Sequence, residues 1–172
     1  MSKNVKSVFV GPKRRIDQDW PKLASYLAQH GLKLGPVSFP RQFSGGFGNL
    51  NYLINLNGFP AVFRRPPPGP IPPGANDMLR EGRILRGLEN VFPLAPKCIH
   101  LCDDISVLGV PFLVMEYRPG IVIGGKLESE IIKHADIGVN LSEMLVTVLC
   151  DLHDIDPESI GLGDLGLSLI HI

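Results

Sequence analysis

Four short stretches of this chain carry side chains or backbone suited to chemistry. Ser44-Gly45-Gly46-Phe47-Gly48-Asn49 is poor in side chains. A loop of this kind can fold over phosphate oxygens, because backbone N–H groups bind them and the missing Cβ atoms permit close approach. A glycine-rich hairpin is also an ordinary turn, so the neighbours must decide. Arg64 closes Ala61-Val62-Phe63-Arg64, and Glu81 stands as a lone acid among Arg80, Arg83 and Arg86. A guanidinium offers phosphate a planar fork. A carboxylate from the next helix would fix its direction. The plainer alternatives are a solvated strand end beside Arg65, and an i,i+3 or i,i+4 partner for the nearby arginines. Met115-Glu116-Tyr117-Arg118 ends an apolar run. There the Glu116 C=O and the Arg118 N–H are placed to bond the edge of a planar base such as adenine. Alone, the segment is a buried strand running into a loop. Cys98, His100 and Cys102 would share one strand face. With no fourth ligand nearby and no C-x-x-C pair, no metal site is expected.

The elements that must hold these residues follow from patterning. Asp19 caps a helix that starts at Trp20, with Pro21 in its first turn, Leu23, Tyr26 and Leu27 on one face and Gly31 as its stop. Pro36–Phe43 reads as a strand. Leu50–Leu56 reads as another, with Leu50, Tyr52, Ile54 and Leu56 on one face. Asn57-Gly58 predicts a tight hairpin turn, and Pro60–Arg65 returns antiparallel. The glycine loop therefore lies between antiparallel strands, not between a strand and a helix. Pro66–Gly74 is too rich in proline for a helix or central strand and reads as a stiff connector, or as a proline-rich docking ligand. Asn76 or Asp77 caps a helix over Met78–Glu89, with Met78, Leu85 and Leu88 on its apolar flank and Ile84 nearby. Pro96–Asp104 and Pro111–Tyr117 are two more strands joined by a turn, and helices follow at about Glu128–Ala135 and Leu141–His153. The fold class is α+β: a five-stranded antiparallel sheet with one inserted helix, then the first helices of a second part.

Composition limits the possibilities. Of 172 residues, 44% are apolar and 20% charged, enough for a packed core. Seventeen basic and seventeen acidic residues give a net charge of zero, so no overall pull toward nucleic acid or an anionic membrane is expected. No run is apolar and long enough to span a bilayer. Met1–Arg15 lacks the apolar core of a secretion signal, and its Lys13-Arg14-Arg15 run reads as a solvated arm. Three cysteines without framework spacing suggest a reducing, cytoplasmic setting.

Phe43–Leu50, Val62-Phe63-Arg64-Arg65-Pro66-Pro67-Pro68-Gly69, Arg80–Leu85, Pro111–Tyr117 and Gly161–Gly166 occur in one order. Together they resemble the aminoglycoside-phosphotransferase-like kinases, nearest the kinase-like domain fused to some acyl-CoA dehydrogenases. The resemblance implies a bilobal protein-kinase-like fold that moves the γ-phosphoryl group of ATP, with Mg²⁺, to a hydroxyl on a small molecule, a hydroxyacyl-CoA being a plausible class. It implies that Ser44, Gly45, Gly46, Phe47, Gly48 and Asn49 cover the phosphates, that Arg64 is the phosphate-binding cation and Glu81 its pairing acid, and that Met115, Glu116, Tyr117 and Arg118 form the adenine hinge. His153, in a Leu-His pair, is expected to pack rather than act as a base. The implied partners are the hydroxyl acceptor and an acyl-CoA dehydrogenase, fused or associated, with neither nucleic acid nor membrane.

The resemblance also calls for a His-Gly-Asp loop and a later metal-binding Asp. Asp151, Asp154, Asp156 and Asp164 do not supply them. No catalytic residue and no metal ligand is therefore assigned. The chain is expected to be a C-terminally truncated, inactive piece: an arm over 1–18, a first lobe over 19–117, a hinge at 118–120, the start of a second lobe over 121–166 and a non-native tail at 167–172. On that expectation the tail would be one translated frame of a transposase adaptor; the plainer alternative is an ordinary apolar strand or helix start. A non-catalytic nucleotide-binding or regulatory module remains an alternative. A dinucleotide-binding oxidoreductase fits poorly, since its glycine motif should open a helix.

Overall fold

The structure, a computed structural model, describes residues 8–36, 40–45, 48–72, 74–121, 132–134 and 136–165. The chain divides into two compact units, one of residues 1–86 and 96–117, the other of 87–95 and 118–172.

The first unit is built on one antiparallel sheet. Its strands are β1 (Arg41–Gln42), β2 (Leu50–Leu56), β3 (Phe59–Arg65), β4 (Cys98–Cys102) and β5 (Phe112–Glu116), in the order β1-β2-β3-β5-β4. The turn between β2 and β3 is set by Asn57 and Gly58, both at positive φ (53° and 89°), as a primed hairpin turn requires. It fixes the register that pairs Asn51 with Arg64 and Tyr52 with Phe63. The Asn57 side chain also accepts from Lys33 N at 2.7 Å, tying the turn to the segment after the first helix.

That helix, α1 (Trp20–Gln29), is capped by Asp19, whose carboxylate accepts from Lys22 N at 3.0 Å, and is stopped by Gly31 at φ 71°. It lays Trp20, Leu23 and Leu27 on one sheet face, against Tyr52, Ile54 and Leu56 of β2, Ala61 and Phe63 of β3 and Phe112 and Val114 of β5. Strand alternation sends Asn51, Leu53, Val62, Arg64, Leu113 and Met115 to the other face. Leu53, Val62 and Leu113 there are buried.

Helix α2 (Met78–Leu88) starts at Asp77, whose carboxylate accepts from the backbone N–H groups of Leu79 and Arg80, each at 3.0 Å. Asp77 rather than Asn76 is therefore the cap. Within α2 the buried residues are Met78 and Gly82, while Leu85 and Leu88 are half-buried. The chain enters β5 through a one-turn helix, α3 (Ile105–Leu108), not a simple turn. Asp104 caps it, and Gly109 at φ 78° ends it.

Several sequence expectations shift in extent. Of the Pro36–Phe43 strand, only Arg41–Gln42 is regular, with Phe43 bridged to Phe9. Residues 37–39 lie outside the described set. Lys13 and Arg14 are exposed, but the arm is not wholly solvated. Val10 N donates to Gln42 O at 2.8 Å, Ser44 N to Val8 O at 2.8 Å, and Arg15 Nη1 to Pro40 O at 3.2 Å. The edge of β1 has unpaired backbone groups, and the arm supplies their partners. The proline run bends at Gly69, whose φ of 106° leaves the polyproline range. It links β3 to the next helix.

The second unit holds α4 (Ile137–His153), which starts four residues before the Leu141 expected. None of its residues is buried. Most of the expected Glu128–Ala135 helix, and the tail at 167–172, lie outside the described residues. Among the described residues no helix is long and apolar enough to cross a membrane.

Candidate functional site

Arg64 and Arg65 end β3 side by side, and the pleat turns them apart. Arg65 goes to the α1 face, where Nη1 donates to Gln18 Oε1 at 2.6 Å. Gln18 Nε2 in turn donates to the Tyr52 hydroxyl at 2.9 Å. Burial pushes the Arg65 guanidinium down from its usual range and the Tyr52 phenol up. Arg65 thus joins the arm to the sheet.

Arg64 goes to the α2 face. Its Nε donates to Glu81 Oε2 at 2.7 Å and its Nη2 to Glu81 Oε1 at 3.2 Å, a two-pronged ion pair. Nη1 donates to Asn51 Oδ1 at 3.1 Å. Three N–H groups are used, and a guanidinium has about five. The remaining two are available to an oxyanion. The side chains of Arg64 and Glu81 are 26% and 34% exposed, so the pair is shielded but open on one side. Beside it lies a small cleft of about 190 Å³, lined by Arg64, Glu81, Ile84, Leu85, Pro96 and Met115.

Glu81 reaches Arg64 because α2 lies close to the sheet. A Cβ on Gly82 would come within 2.8 Å and 2.9 Å of the two Leu101 methyls of β4. Only glycine allows that approach unless Leu101 moves. Sequence reading passed over Gly82. Its signal was a glycine in the middle of a helix, where it costs about 1 kcal/mol relative to Ala.

The glycine loop enters from β1 and leaves into β2. Ser44 and Gly45 are exposed, and Gly46 and Phe47 lie outside the described residues. At the trailing end Asn49 Nδ2 donates to Glu81 Oε1 at 3.1 Å, and Asn76 Nδ2 donates to Gly48 O and to Asn49 Oδ1, the latter at 2.6 Å. The structure therefore joins Asn49, Arg64 and Glu81 and adds Asn51 and Asn76, which sequence reading did not assign to the site. Asn51 had a signal, a poor strand former inside an apolar strand and opposite Arg64. Asn76 had only its candidacy as a helix cap.

Of the proposed hinge, Met115 lines the cleft. Glu116 N donates to Lys97 O at 2.9 Å, and Glu116 Oε2 accepts from Lys97 N at 3.1 Å. The Tyr117 ring lies near-parallel to Phe43, the residue before the loop, at 6.4 Å and 19°. In the second unit Arg118 Nη2 donates to Pro93 O at 2.9 Å and Ala95 O at 3.1 Å. Elsewhere, His100 Nε2 lies 3.1 Å from the Tyr26 hydroxyl. Among the described residues no three His, Cys, Asp or Glu side chains gather as a metal site would.

Mouse acyl-CoA dehydrogenase family member 10 is 33% identical over 136 residues, which are 77% of this chain and 12% of that protein. Rat acyl-CoA dehydrogenase family member 11 is 32% identical over 170 residues, 93% of this chain and 20% of that protein. The chain thus spans a fifth or less of the length of these relatives. A crystal structure from Ralstonia eutropha, assigned to the aminoglycoside phosphotransferases, superposes with a TM-score of 0.63 at 27% identity, covering 88% of this chain and 43% of its own. The model of the phosphotransferase enzyme family matches residues 40–169. With both fold and sequence in agreement, the chain belongs to the phosphotransferase enzyme family and has its protein-kinase-like α+β fold.

Proposed function

We propose that the complete protein is an ATP-dependent kinase of a small-molecule hydroxyl, and that this chain carries the half that grips the nucleotide. The observation that carries the reading is the Arg64–Glu81 pair. It holds a guanidinium at the trailing end of the glycine loop with two N–H groups to spare. Such a fork suits two phosphate oxygens, and a charged hydrogen bond of this kind contributes about 1.5–3 kcal/mol. Ser44–Asn49 would cover the phosphates. The Glu116 C=O and Arg118 N–H would take the adenine edge, with Met115 and Tyr117 flanking them.

Mg²⁺ would neutralise the phosphates during transfer, and its ligands would come from outside this chain. The sequence here holds no His-Gly-Asp loop, so on its own this chain would bind nucleotide weakly and not turn it over. The relatives named as acyl-CoA dehydrogenase family members favour a hydroxyacyl-CoA acceptor and a fused or associated dehydrogenase.

The test uses the full-length protein with ATP, Mg²⁺ and a panel of hydroxyacyl-CoA compounds. Arg64→Ala and Glu81→Ala are each expected to lower kcat/KM for ATP by about 10- to 100-fold. Unchanged ATP turnover in both variants overturns the assignment. Nucleotide binding without transfer to any acceptor would instead make the protein a binding module.

A further inference from the structure

Asn76 lies just before the α2 cap, with a left-handed backbone at φ 55°. Asparagine tolerates that conformation better than most residues. The turn aims its side chain back across the sheet at the glycine loop, 27 positions away at Asn49. Nδ2 donates to both Gly48 O and Asn49 Oδ1. A Cβ on Gly48 would sit 3.2 Å from that nitrogen, so a side chain at 48 would push the amide back by a few tenths of an ångström.

The orientation of each amide is dictated by charge. Glu81 as a carboxylate only accepts, so Asn49 must present its NH₂ to Glu81 Oε1 and its oxygen to Asn76. Asn76 must therefore donate. On the other side Arg64 only donates, so Asn51 turns its oxygen to Nη1, and its own Nδ2 lies 3.4 Å from Asn49 O. Donation thus runs from Asn76 to Asn49 to Glu81, and Arg64 donates to the same carboxylate from the other side, without a choice at any link.

We propose that Asn76 is a positioning residue that clasps the trailing end of the glycine loop to the Glu81–Arg64 pair, so that the loop and the guanidinium are aimed together. This rests on the nucleotide-gripping role given to Arg64. Asn76 acts through Asn49 and Glu81 and does not touch the phosphates. Removing its NH₂ frees Asn49 to rotate, loosens one of the two Glu81 oxygens, and widens the range of directions in which Arg64 points. The cost falls on ATP affinity rather than on the acceptor or on folding.

The experiment compares full-length wild type with Asn76→Gly, which keeps the left-handed backbone, and with Asn76→Asp, which keeps the shape and cannot donate. Each is also made in an Arg64→Ala background. The readouts are the Kd of a non-hydrolysable ATP analogue, KM for ATP and for the acceptor, and the thermal midpoint. Both single variants are expected to raise the Kd and KM for ATP by about 5- to 20-fold, leaving KM for the acceptor unchanged. Neither is expected to add a further loss when Arg64 is already Ala. If Arg64→Ala weakens ATP binding while Asn76→Gly matches wild type, the clasp is refuted and the role of Arg64 stands. Equal losses in the two backgrounds refute it as well. A wild type that binds no ATP removes the nucleotide reading and the clasp with it.

Discussion

Arg64 and Arg65 carry the same charge one residue apart, and the pleat gives them different partners. Arg64 pairs with Glu81, whereas Arg65 joins Gln18. Arg64→Lys would keep the charge but lose the fork, since an ammonium cannot meet both Glu81 oxygens and Asn51 in that geometry. Turnover with ATP is expected to fall about 10-fold or more in steady-state assays. Arg65→Lys, on the opposite face, should leave KM for ATP within about 2-fold. Asn49→Asp is the sharper probe. It would set a second carboxylate where an amide now donates to Glu81 at 3.1 Å. Like charges so close disfavour each other, so the loop end would move off and nucleotide affinity should fall further than in Asn49→Ala.

At the scale of elements, the ion pair depends on how near α2 comes to the sheet. Gly82→Val would push branched carbon into Leu101, against a gap of 2.8–2.9 Å to its methyls. A helix displaced outward draws Glu81 away from Arg64. Overpacking of this kind costs about 1–3 kcal/mol, a fall of roughly 5 °C or more in thermal midpoint for a unit of this size. Loss of ATP affinity should accompany it in calorimetry. The hairpin is the second lever. Gly58→Val places a β-branched residue at φ 89°, and positive φ costs such a residue roughly 1–2 kcal/mol. Chemical denaturation should show the loss, while ATP affinity at a temperature where the protein is folded should not change.

Over the whole first unit, acid is expected to act through the contact of α1 with β4. His100 rests on Tyr26, with His30 at 4.8 Å between ring centres. Burial first, then His30 and Arg86, hold the His100 pKa below its ordinary value. Burial first, with Cys102, Asp103 and Asp104 adding to it, pushes the Tyr26 phenol up, so it stays neutral throughout the acid range. A lowered imidazole pKa means the unfolded chain takes up the proton first. The stability it contributes is then present above about pH 6.5 and is lost as the pH falls through the folded value. Thermal midpoints should drop on going from about pH 7.5 to about pH 5.5, and less steeply in His100→Gln. In the second unit Val139, Met144, Leu145 and Val146 of α4 are each more than half exposed. An apolar helix with no buried residue binds hydrophobic dyes, so the 172-residue chain alone should enhance ANS fluorescence strongly.

Local chemistry determined much of this protein. Asp19 and Gly31 bound α1, Asn57-Gly58 forced the hairpin and with it the Asn51–Arg64 register, and alternation in Leu50–Leu56 named the core face. These signals are legible because each acts within a few residues. Arg64 and Glu81 stood out by type and by the elements bearing them. Which arginine faced the helix, how Gly82 let α2 approach β4, why Asn76 left the cap to Asp77 and reached for the loop, and how the arm completed the edge of β1 were decided only in three dimensions. Each joins residues distant in sequence, and pairings of that range are set by packing a whole sheet between two helices rather than by any local preference.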